Sequence, residues 1–105
     1  MIKLRMTEEA IQALADIHHT RIDNKIEEYK AKPELLEAKL TVEKAGLFKE
    51  FSKRYGVKLA HFRVGDDRVI GLLKKDVLFI VGFTTRGKLQ RNLERIAERF
   101  PFDLK

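Results

Sequence analysis

A chain of 105 residues fits one domain, long enough to bury a single core without help from a metal or a disulfide. It has no cysteine, which excludes a disulfide framework, a thiolate nucleophile and a zinc site with sulfur ligands. Its net charge of +6 is uneven, with 7 Lys/Arg against 8 Asp/Glu over residues 1–40 and 15 against 8 over residues 41–105. The basic second half points to a nucleic-acid or acidic-protein partner, the plain alternative being a solubilising surface.

The opening residues, M-I-K-L-R-M, lack the apolar core of a leader, and no apolar run approaches a membrane span. A soluble cytoplasmic protein with no membrane partner is expected. Ile2, Leu4 and Met6 alternate with Lys3 and Arg5, which predicts a short amphipathic strand. Thr7 then fits an N-cap, with Glu8 and Glu9 in the first turn where acids suit the helix dipole. Ile11, Leu14, Ala15 and His18 form one stripe, continued by Ile22, Ile26 and Tyr29. Thr20 with Asp23 resembles a second N-cap, so the segment is one kinked helix or two joined tightly, ending before Pro33. His18 and His19 are adjacent, point in different directions on a helix and cannot chelate one metal together.

Pro33 to Leu40 reads as a connector with room for one helical turn. Thr41 is expected to cap a further helix that turns Ala45, Phe48, Phe51 and Tyr55 inward, leaves Lys44, Lys49, Lys53 and Arg54 outside, and stops at Gly56.

Val57 to Arg86 divides at Gly65-Asp66-Asp67 and at Lys74-Lys75-Asp76 into three apolar runs, the pattern of a three-stranded antiparallel meander. The third run, Val77 to Phe83, is apolar on both pleat faces and should be covered on both sides. In the first run Ala60, Phe62 and Val64 share one face, while Leu59, His61 and Arg63 share the other. If Gly65 and Asp66 are the central residues of a II′ turn, Arg63 lies across from Arg68 and His61 across from Ile70. Facing like charges are destabilising unless an anion lies between them, which points to a phosphate ligand. The other reading is an ordinary charged strand face, paired with Asp66, Asp67 or Glu50.

From Lys88 to Phe100 a last helix carries Leu89, Leu93, Ile96, Ala97 and Phe100 on one face and Lys88, Arg91, Arg95 and Arg99 near another. Pro101 ends it, and Phe102 and Leu104 form a tail expected to dock back. The order strand, helices, three strands, helix predicts an α+β fold: a small antiparallel or mixed sheet of the N-terminal strand plus the meander, with helices on one face.

These elements, taken in order, resemble the RelE/ParE superfamily of type II toxin–antitoxin toxins. The resemblance rests on the opening strand into Thr7-Glu8-Glu9-Ala10, the string Phe62-Arg63-Val64-Gly65-Asp66-Asp67-Arg68-Val69-Ile70, and the strand Val77 to Phe83 with its basic turn. The stretch Val81-Gly82-Phe83 through Arg86-Gly87-Lys88 and the helix around Leu93 to Arg99 look most like the HigB branch and its phage-encoded relatives. The resemblance implies a single toxin domain over residues 1–105, a cognate antitoxin that binds and neutralises it in a hetero-oligomer, and ribosome-dependent cleavage of mRNA without a cofactor or metal.

Carried over residue by residue, Arg68 matches the arginine of the family's G-x-x-R strand motif, His61 falls near a basic catalytic position on the preceding strand, and Arg86 and Lys88 match the basic turn after the last long strand. No tyrosine follows Tyr55, so the late tyrosine of some ribosome-dependent members is absent, and Gly87 interrupts the basic turn. RNA cleavage through the 2′-hydroxyl needs a proton acceptor, cations for the phosphorane and a donor for the leaving oxygen. His61, Arg68 and Arg86 are the catalytic candidates, and Arg63, Lys88, Arg91, Arg95, Lys53 and Lys58 the RNA-binding ones. Two other functions fit the same fold: a ParE-like gyrase inhibitor, and a catalytically silent relative that binds RNA or its antitoxin. For His61 the plain alternative is a half-exposed strand histidine without chemistry.

Overall fold

The structure, a computed structural model, describes residues 2–17, 20–44 and 46–100, the side chains of 14–17 excepted. His18, His19, Ala45 and the tail with Phe102 and Leu104 lie outside the described residues, as do the side chains of Leu14 and Ala15. The elements are β1 (Lys3–Met6), α1 (Glu8–Ile17), α2 (Thr20–Ala31), α3 (Pro33–Lys39), β2 (Thr41–Val42), α4 (Leu47–Tyr55), β3 (Lys58–Val64), β4 (Asp67–Lys74), β5 (Val77–Thr85), a 3-10 turn (Arg86–Lys88) and α5 (Leu89–Arg99).

One five-stranded sheet in the order β1-β5-β4-β3-β2 organises them. The meander β3-β4-β5 is antiparallel and β1 joins β5 in parallel, so the sheet is mixed and the fold α+β, as expected. Thr7 makes the transition from β1 to α1. Its hydroxyl accepts from the Ala10 amide at 3.2 Å as an N-cap and donates to the Ile80 carbonyl at 3.0 Å, while its own amide bonds the same carbonyl at 3.1 Å. One residue thereby starts the helix and ties it to the end of the β1–β5 ladder.

The helices lie on both faces of the sheet, which corrects the expectation of one. Ala60, Phe62, Val69, Leu78 and Ile80 pack under Ala10, Ile22, Ile26, Tyr29 and Leu36 from α1, α2 and α3. Leu59, Ile70 and Leu72 pack under Phe48, Phe51, Leu93 and Ala97 from α4 and α5. The reason is alternation with apolar residues at both phases: burying a side chain such as Phe62 or Leu72 is worth about 1.5–3 kcal/mol, so neither face can be left wet. Phe62 is closed over by Tyr29, edge to face with ring centroids 5.2 Å apart.

Two local expectations also give way. Thr41 is no helix cap: with Val42 it forms an edge strand against β3, pairing with His61 and Ala60, and the Glu43 amide extends the contact to the Leu59 carbonyl at 2.8 Å. Two β-branched residues beside an unpaired strand edge gain more from the ladder than from a helix start. Ile11, placed on the inward stripe, is 54% exposed, because Ala10 is the residue α1 turns to the sheet.

Candidate nucleic-acid interface

The β3–β4 hairpin fixes the first group of charges. Gly65 has φ +62°, the left-handed conformation that the first central position of a II′ turn requires. The resulting register pairs Arg63 with Arg68 and His61 with Ile70, as expected from that turn. Arg63 Nε donates to the Gly65 carbonyl at 2.9 Å, and Arg68 Nη1 donates to the same oxygen at 3.3 Å and to the Asp67 carbonyl at 3.0 Å. The like-charged pair is therefore held by backbone carbonyls of its own turn, and repulsion between the two arginines does not by itself require an anion. Arg21 of α2 approaches the same turn from the other sheet face, its Nη1 2.6 Å from where a Cβ on Gly65 would sit.

A bulge extends the row of polar side chains across the next strand. The β4–β5 register shifts between Ile70 and Gly71, leaving Val81 as the extra residue of β5. Before the bulge Leu78 and Ile80 face the first core, and after it Phe83 does, so Thr84 turns to the face of Arg63 and Arg68, directly opposite Arg68. Asn92 of α5 donates to Thr84 Oγ1 at 2.7 Å and to the Lys88 carbonyl at 2.9 Å. Gly71 lies beside this irregularity and has no room for a side chain, since a Cβ would fall 2.7 Å from Leu78 Cδ1.

Past the Arg68–Thr84 pair a cleft of about 480 Å³ wraps around the end of β5. Asp67 and Thr85 line it from one sheet face, and Lys88, Arg91, Asn92 and Arg95 from the other. The last four follow helical spacing, Arg91, Asn92 and Arg95 on one face of α5 and Lys88 at its N-cap, which the sequence pattern conveys for the basic members. Arg86 is exposed at the start of the 3-10 turn, with its amide on the Asp66 carbonyl at 3.1 Å, which ties it to the β3–β4 turn.

His61 stands one step inward from the arginine row on the same face, two residues from Arg63 and diagonal to Arg68, hence about 7 Å from each along the backbone. It lies outside the lining of the cleft. Its Nδ1 is 3.0 Å from Glu43 Oε1, the two side chains being 15% and 22% exposed. The carboxylate oxygen is within contact distance but off the N–H direction, so Nδ1 is buried without an aligned hydrogen bond.

The structure thus brings Arg63 and Arg68 together at the β3–β4 turn, ties the Arg86 backbone to that turn, and puts Lys88, Arg91 and Arg95 in the adjoining cleft. The remaining two candidates stand apart. Lys58 opens β3, five residues from Arg63 and on the opposite pleat face, and Lys53 is exposed on α4. Glu43, Thr84, Asn92 and Arg21 were not among the sequence candidates. Only Asn92 carried a signal, its place within the basic helical face.

The fold and the polar row define an α+β protein with an arginine-bearing hairpin in a five-stranded mixed sheet. That fold is similar to the one in the crystal structure of the archaeal RelE–RelB complex from Pyrococcus horikoshii, with a TM-score of 0.54 and 18% sequence identity over 83% of this chain and 97% of that one. No family model and no curated protein matches the chain. At this identity the likeness is one of fold, and the expected RelE-like architecture is present. Among the described residues no helix is long and apolar enough to cross a membrane.

Proposed function

We propose that the chain is the toxin of a type II toxin–antitoxin pair, a single domain of the HigB type that cleaves mRNA on the ribosome in the cytoplasm. The observation that carries this reading is the placement of His61 about 7 Å from two arginines on one sheet face. Arg63 and Arg68 are spaced to hold the scissile phosphate, with Arg86 reaching it from the neighbouring turn. His61 takes the 2′-hydroxyl proton. The cleft residues Lys88, Arg91 and Arg95 carry the flanking phosphates, a salt-sensitive contribution to affinity.

The likeness to a RelE solved with its RelB supports an antitoxin partner for this chain as well. Among the described residues β1 pairs with β5 only as far as Ile80, so the Val81 to Thr85 stretch has no strand on that side. An acidic extended segment can add there, with the cationic cleft beside it. Inducing the chain in cells and mapping the damage tests the reading: growth arrest with cuts within translated mRNA is expected. DNA breaks would replace it by gyrase inhibition, and unimpaired growth by a silent binding relative.

A further inference from the structure

The edge strand β2 is only two residues long, yet it places one carboxylate beside one imidazole. Thr41 pairs with His61, and the Glu43 amide bonds the Leu59 carbonyl at 2.8 Å, so the backbone on both sides of the pair is fixed by the ladder. Glu43 Oε1 is then 3.0 Å from Nδ1, which is sealed from solvent and has no other partner among the described residues. A buried ring nitrogen left without a partner costs about 1–3 kcal/mol, and the carboxylate is the acceptor in reach. Oε1 lies well off the N–H direction here, and hydrogen bonds of a catalytic group often align only when the site engages its substrate.

We propose that Glu43 is the positioning residue of His61, holding the ring in the tautomer protonated at Nδ1 so that Nε2 keeps its lone pair on the face of the arginine row. Free imidazole side chains favour the opposite tautomer, with the proton on Nε2, which cannot accept another proton there. A carboxylate behind a histidine sets tautomer and ring orientation together. The consequence for catalysis rests on the ribonuclease reading. His61 Nε2 takes the 2′-hydroxyl proton, the O2′–P bond forms and the P–O5′ bond breaks, and the leaving 5′ oxygen takes a proton from water. The products are a 2′,3′-cyclic phosphate and a 5′-hydroxyl end.

The test is long-range proton–nitrogen NMR of the ring at a pH where it is neutral, with His61 assigned by the signals lost in His61→Gln. The wild type should show the Nδ1–H pattern. Glu43→Ala should revert to Nε2–H, and Glu43→Gln, which keeps an acceptor oxygen, should restore Nδ1–H. An Nε2–H pattern in the wild type overturns the proposal without any variant, as does an unchanged pattern in a folded Glu43→Ala. In ribosome-programmed cleavage Glu43→Ala should lower kcat by at least about tenfold with KM little changed. If the tautomers behave as stated but the wild type cleaves no RNA, the ribonuclease reading fails while the role of Glu43 in setting His61 stands.

Discussion

Arg68→Ala separates a phosphate contact from a structural residue, because the two roles have opposite signatures. Its guanidinium and that of Arg63 reach the same carbonyl at 3.3 and 2.9 Å. Their nitrogens are therefore within about 6 Å, where two unit charges in water repel by about 0.7 kcal/mol. Truncation relieves that repulsion and removes the bonds to the Gly65 and Asp67 carbonyls. At a solvated turn those two bonds contribute on the order of 1 kcal/mol together, and Arg63 still satisfies Gly65. The opposing terms nearly offset, so Tm should move by less than about 5 °C in either direction. Cleavage should fall about 100-fold, the roughly 2.7 kcal/mol typical of one donor lost from a developing oxyanion. The assay is a thermal melt beside ribosome-programmed cleavage of a defined mRNA. Undiminished cleavage would remove Arg68 from the site, and a loss of more than about 10 °C would make it a structural residue instead.

Thr7→Ala removes the cap to Ala10 and one of two donors to the Ile80 carbonyl. Denaturant unfolding should report a loss of about 1–2 kcal/mol, and no measurable loss would mean that the cap is inconsequential. Gly71→Ala forces a methyl within 2.7 Å of Leu78 Cδ1 and 3.2 Å of the Phe79 carbonyl, inside a fully buried layer. Overpacking of this kind should cost about 1–3 kcal/mol by the same measurement. Burial raises the Tyr29 phenol above its ordinary 10.0, with Lys25 opposing and Glu28 adding to the shift. A raised folded value favours the neutral phenol, so its contribution to stability is full below about pH 10 and is lost as pH climbs through the folded value. Alkaline unfolding followed by ultraviolet titration should move to higher pH in Tyr29→Phe, and an unchanged midpoint would exclude Tyr29 as the cause.

The meander and its register were legible because turn chemistry and alternation act over a few residues. Gly65-Asp66 set the Arg63–Arg68 pairing, and the double phase of apolar residues from Leu59 to Leu72 already contained the second helical layer that a one-faced reading overlooks. Thr7 was legible for the same local reason. What escaped was non-local. Thr41 and Val42 extend along β3 only because that edge is open, and Glu43 follows them to His61. The bulge at Val81 reverses the phase of β5 and brings Thr84 beside Arg68, and its one sequence signal is Gly82 next to it, a glycine inside an otherwise apolar strand. The charge pattern likewise gave the cationic face of α5 but not its separation from Lys58, at the far end and opposite face of β3.

The most direct measurement incubates the purified chain with ribosomes carrying a defined mRNA and maps the ends produced. Cuts within the translated frame, bearing 5′-hydroxyl and 2′,3′-cyclic phosphate ends and lost in His61→Ala, are the predicted result. Intact mRNA beside a wild-type chain shown to be folded, or cleavage undiminished in His61→Ala, would contradict a ribonuclease site built on His61 and the arginine pair.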